Sequence, residues 1–153
     1  MSFNDEILRY SLHEVNSLEQ LTIKALKEPV PFKFIAYLIE KNINSLAKLC
    51  VDLPIEESSL KHFATLILNL SKIKHLHLTA NTKLDTYYTS PNLMSLKHLL
   101  TKDSLTTIII DRFPLLSDFT TIGGLPNSLE TLVFTGVVPQ AKQTKKDYCT
   151  FIY

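Results

Sequence analysis

The side chains best able to do chemistry fall in two short runs, Cys50-Val51-Asp52 and His75-Leu76-His77. If both runs are extended, alternate residues share a face about 6.7 Å apart, and side-by-side strands lie about 4.8 Å apart. Thiolate, carboxylate and imidazole are a zinc donor set at about 2.0–2.3 Å, so Cys50, Asp52, His75 and His77 form a candidate metal group. Cys50 with His77 is in turn a candidate nucleophile and base for a cysteine or metal-dependent hydrolase. The spacing is not a C-x-x-C type ligand signature, and no further carboxylate is placed to orient the imidazoles. A thiolate nucleophile also needs a turn or helix amino terminus to stabilise an oxyanion, which a flat sheet does not supply. The sequence therefore leads us to expect no metal, no cofactor and no enzymatic activity.

Placing these residues on neighbouring strands requires a repeated architecture, and the chain resembles itself five times. Leu18-Glu-Gln-Leu21-Thr-Ile23, Leu46-Ala-Lys-Leu49-Cys-Val51, Ile73-Lys-His-Leu76-His-Leu78, Leu105-Thr-Thr-Ile108-Ile-Ile110 and Leu129-Glu-Thr-Leu132-Val-Phe134 share an aliphatic L-x-x-L-x-L pattern. Their starts lie 28, 27, 32 and 24 residues apart. Ser17, Ser45, Ser104 and Ser128 each precede a repeat. The last aliphatics alternate with polar or small residues, the period of a strand with one buried face. Between the strands the spacing turns helical, with Phe34, Tyr37 and Leu38, then Leu60, Phe63, Ile67 and Leu70. Ser90-Pro91 opens another helix carrying Leu93, Leu96, Leu99 and Leu100, and Glu6 to Val15 reads as an amino-terminal helix or cap. Pro114 to Gly124 is shorter and carries Gly123-Gly124, so it reads as a single turn or irregular. Strands alternating with helices imply parallel pairing, since parallel neighbours need long crossovers. Asp147 to Tyr153 alternates as an edge strand that closes the stack.

With 153 residues, 45% of them hydrophobic, the chain is long enough for one domain with a substantial core, and we read 1–153 as such a domain. Repeats begin near 17, 45, 72, 104 and 128, and 139–153 forms a carboxy-terminal cap. Sixteen basic residues against fifteen acidic ones leave +1, which gives no global field toward nucleic acid or an anionic membrane. The acidic opening is unlike a signal peptide, and two cysteines are too few for a disulfide framework. The uncharged run Phe63 to Ser71 is far shorter than the roughly 20 residues of a membrane span. These features point to an intracellular protein, cytoplasmic or nuclear.

The five L-x-x-L-x-L units resemble the leucine-rich repeat family, whose pattern continues to an asparagine or cysteine. The resemblance runs from about residue 17 to 138. Asn81 stands at the asparagine position of the third unit, where the others carry Leu26, Pro54, Phe113 and Val137. Repeats near 28 residues with helices are similar to the ribonuclease-inhibitor and F-box type, and Gly124 to Phe134 is similar to an FNIP repeat. The resemblance implies an α/β solenoid, a parallel β-sheet on its concave face and helices on its convex face. It further implies a scaffold or adaptor that binds another protein, with the substrate-recognition part of a ubiquitin ligase as a variant, although residues 1–16 carry no F-box.

In that arrangement, the residues between ladder aliphatics line the concave face: Lys24; Lys48, Cys50 and Asp52; His75, His77 and Thr79; Ile109 and Asp111; and Val133, together with Gln20, Thr22, Thr107, Thr131 and Thr135. Mixed hydroxyl, charge and imidazole around the aliphatic pair Ile109 and Val133 suits a protein interface, with a plain solvated face as the alternative. Asp52 and Asp111 fall two strands apart, roughly 10 Å, slightly beyond the spacing of an inverting glycosidase pair. They read as interface charges. His13, His62 and His98 read as structural. An open solenoid end near Glu6 to Val15 would let the chain stack on another subunit or on more of the same protein.

Overall fold

The computed structural model describes residues 17–25, 30–53, 57–80, 98–114, 128–137 and 148–152. Six strands form one sheet in chain order: β1 (Gln20–Ile23), β2 (Lys48–Leu53), β3 (His75–Ala80), β4 (Thr107–Pro114), β5 (Thr131–Val137) and β6 (Tyr148–Ile152). The first five are parallel, and β6 runs antiparallel to β5. Two helices, α1 (Phe32–Lys41) and α2 (Glu57–Asn69), and a 3-10 turn at His98–Thr101 fall between strands. The expected helix at Glu6 to Val15, the first part of the one after Ser90-Pro91, the loop after Pro114, Asn81 and most of the carboxy-terminal cap lie outside the described residues. Where the second of these expected helices would carry Leu99 and Leu100, the chain forms the 3-10 turn, with both leucines buried.

The alternation in the sequence becomes the two faces of the sheet. Leu49, Val51 and Leu53 of β2, and Leu76, Leu78 and Ala80 of β3, are buried and share one apolar cluster with both helices. Their intervening neighbours stay half-buried or exposed on the opposite face. The first aliphatic of each central repeat, Leu46, Ile73 and Leu105, is wholly buried just before its strand, where it closes the core.

The two helices differ in how well their spacing shows which face is buried. In α2, Leu60, Phe63 and Ile67 are fully buried, as is Leu70 just beyond it, as their i, i+3, i+4 pattern requires. In α1 the buried face is Ile35, Ala36, Leu38 and Ile39, whereas Phe34 and Tyr37 sit at its margin. The expected Phe34–Tyr37–Leu38 face is therefore rotated by about one position, about 100° on a helix of 3.6 residues per turn. The small Ala36 lies on the buried face, while the bulkier Phe34 and Tyr37 stay half-buried at its edge. His62 of α2 meets Phe32 of α1 edge-on at 5.3 Å. Lys102 donates from Nζ to the Leu68 carbonyl at 2.9 Å, so a cation ties the 3-10 turn to the carbonyl end of α2.

Strand starts are locked by a repeated bond pattern. The Glu19 carbonyl accepts from the amides of Ala47 and Lys48, that of Ala47 from Lys74 and His75, that of Lys74 from Thr106 and Thr107, and that of Thr106 from Glu130 and Thr131. Glu19, Ala47, Lys74, Thr106 and Glu130 thus form one row across the sheet. No helix among the described residues is long and apolar enough to cross a membrane.

Candidate functional site

The face away from the helices is organised in rows by the strand register. Gln20, Lys48, His75, Thr107 and Thr131 are mutual partners in the first row. Thr22, Cys50, His77, Ile109 and Val133 make the second, and Asp52, Thr79, Asp111 and Thr135 the third. Lys24 follows β1 directly and is exposed. All ten residues singled out from the sequence therefore occupy, or directly adjoin, one ordered surface. Its rows follow from parallel pairing without slippage from β1 to Asp111; one residue of slip would send each side chain to the other face.

An open depression of about 580 Å³ lies over the first two rows, lined by Gln20, Lys48, Cys50, His75, His77, Thr107 and Ile109 among others. Ile109 and Val133 are register partners, so the expected aliphatic patch exists as a contiguous pair. Cys50 is a free thiol opposite His77. Asp52, however, directs Oδ2 to the amide of Ala25 at 2.9 Å, which ties its carboxylate to the chain after β1. Among the described residues, no three His, Cys, Asp or Glu side chains gather closely enough to hold a metal ion.

Asp111 is bound in a similar way. Its Oδ1 accepts from the Thr135 hydroxyl, and its Oδ2 lies 3.9 Å from Nε of Arg112. That ion pair is open to solvent and contributes little. Arg112 has φ 61° and marks a register shift between Asp111 and Phe113, so it is the extra residue of a bulge. Both third-row carboxylates therefore join neighbouring segments besides presenting charge.

Two features escaped sequence reasoning. Asn42 is buried at the end of α1, where its Oδ1 accepts from the Leu18 amide and its Nδ2 donates to the Leu38 carbonyl, each at 2.8 Å. An asparagine directly after a helical run is a carboxy-terminal signal, but nothing local names Leu18 as its partner. The second is a groove of about 950 Å³ at the strand starts, lined by Lys41, Lys72 and Lys74 together with Ser17, Ser45, Ser71 and Ser104. These lysines come from two connections and make no charge run, so only the fold assembles them.

Comparison with protein-family models, with curated proteins and with solved structures finds no match to this chain.

Proposed function

We propose that this chain is a short leucine-rich repeat solenoid that acts as a non-catalytic scaffold or adaptor in the cytoplasm, binding another protein through the concave face of its sheet. The observation that carries the reading is the unslipped register that aligns Lys48, His75 and Thr107, then Cys50, His77, Ile109 and Val133, on the face opposite the helices. Five parallel strands at intervals of 24 to 32 residues support the repeat architecture. A platform with polar rows around an aliphatic pair has the composition of a protein interface, apolar at the centre and polar at the rim. Strands fix the backbone beneath these side chains, so binding needs less ordering than on a surface built from loops.

The test is affinity capture from native lysate with the wild type beside Lys48→Glu/Asp111→Lys, both checked by circular dichroism. A partner retained by the wild type and lost by the folded variant is the expected result. Capture that is equal for both proteins overturns the assignment to this face.

A further inference from the structure

We infer that the strand-start groove is a docking site for a short acidic segment of a protein partner, about six residues long. This rests on reading the sheet as a binding platform and adds the chemistry of the partner, since the groove is continuous with the outward depression through Glu19, Ala47 and Lys74. Lys41, Lys72 and Lys74 are all exposed around it, and Glu19 is its one lining carboxylate among the described residues. The one ion pair among the described residues is Asp111–Arg112, so none of the three ammonium groups is ion-paired there, and Glu19 offsets only one of the three charges. Lys41 is held 5.6 Å from the centre of the Tyr37 ring. The carbonyl end of α1 reaches the same groove with about half a negative charge, which leaves the lining positive.

The backbone decides which anion fits. The amides of Ala47 and Lys74 are spent on the strand-start ladder, so they cannot form the amide nest that cradles a phosphate. What remains is side-chain charge and serine hydroxyls, including that of Ser104, which is buried without a partner among the described residues. Spread ammonium groups match several carboxylates along a peptide better than one compact dianion. Length follows from the row Glu19, Ala47, Lys74, Thr106, Glu130, which places an acid at either end about 19 Å apart, or four strand spacings. An extended peptide covers that distance in about six residues. A long polyanion such as nucleic acid would run into both glutamates.

The probe is fluorescein-labelled hexaglutamate, read by fluorescence anisotropy at low salt against hexaglutamine and a single-stranded DNA dodecamer. Hexaglutamate is expected to bind at least about tenfold more tightly than hexaglutamine, and to weaken steeply with salt. Lys72→Glu/Lys74→Glu should lose about tenfold or more, while Lys33→Glu/Lys61→Glu, exposed on the two helices and outside both depressions, stays within about twofold, so the loss reports the groove and not the change in net charge. Both target lysines are exposed; if the glutamate pair fails to fold, Lys72→Gln/Lys74→Gln and Lys41→Gln are the measured variants. No preference for hexaglutamate, equal binding by the lysine variants, or equally tight DNA binding overturns the inference.

Discussion

Asn42 shows how one buried amide links two levels of the structure. It accepts from the amide that opens the first repeat and donates to a carbonyl of α1, so it fixes where the helix ends relative to β1. Ser45 adds a second link, donating to the Leu18 carbonyl at 2.9 Å. Removing the amide strands the Leu18 N–H, so Asn42→Ala is expected to cost about 2–4 kcal/mol in urea denaturation, against nearly nothing at exposed Asn44. A loss below about 0.5 kcal/mol would show that solvent reaches these groups. The serines before four of the five repeats were visible in the sequence, but their roles diverge. Ser45 bridges neighbouring repeats, whereas the hydroxyls of Ser104 and Ser128 are buried without partners among the described residues. Residue type was legible here and bonding was not, because the bonds that Asn42 and Ser45 make to Leu18 join segments 24 and 27 positions apart.

At the scale of elements, β3 is the centre of the design. Leu76 is buried against the helices and its strand pairs on both sides, so Leu76→Ala leaves a cavity that the neighbouring strands cannot close. It is expected to destabilise by about 2–5 kcal/mol, measured by chemical denaturation, while His77→Ala on the opposite face costs far less. Similar small losses at both positions would contradict the two-faced reading of the strand. The alternation of these strands was fully readable, since a period of two is a local property. The burial of α1 was read one position away. Its apolar residues are dense enough to offer several faces, and packing into the common core selects Ile35, Ala36, Leu38 and Ile39 among them. Arg112 also lies beyond local reading, because its left-handed backbone follows from the register change between β4 and β5.

At the scale of the whole molecule, the sheet's direction changes once. A sixth strand was anticipated as an edge, and it pairs antiparallel with β5 over five residue pairs from Val133–Ile152 to Val137–Tyr148. Deleting residues 147–153 would leave the backbone donors and acceptors of β5 unpaired, a template for association. We expect the shortened chain to elute as larger species in size-exclusion chromatography and to melt several degrees lower, since about 2 kcal/mol corresponds to about 4–8 °C at this chain length. An unchanged elution volume with an unchanged melting temperature would show that β6 does not protect the edge. Charge is also distributed at this scale, with lysines gathered at the strand starts and the two bound carboxylates in the third row.

By itself the sequence determined the repeat spacing, the positions of the five parallel strands and which side chains face away from the core. Each of these depends on hydrophobic periodicity within a few residues, and a strand or helix cannot fold against its own pattern. Tertiary structure alone decided the register partners, the pairing of Asp52 with the chain after β1, the antiparallel closure and the gathering of Lys41, Lys72 and Lys74 around one groove. These contacts join residues up to tens of positions apart, and they exist only once parallel pairing stacks neighbouring repeats about 4.8 Å from one another.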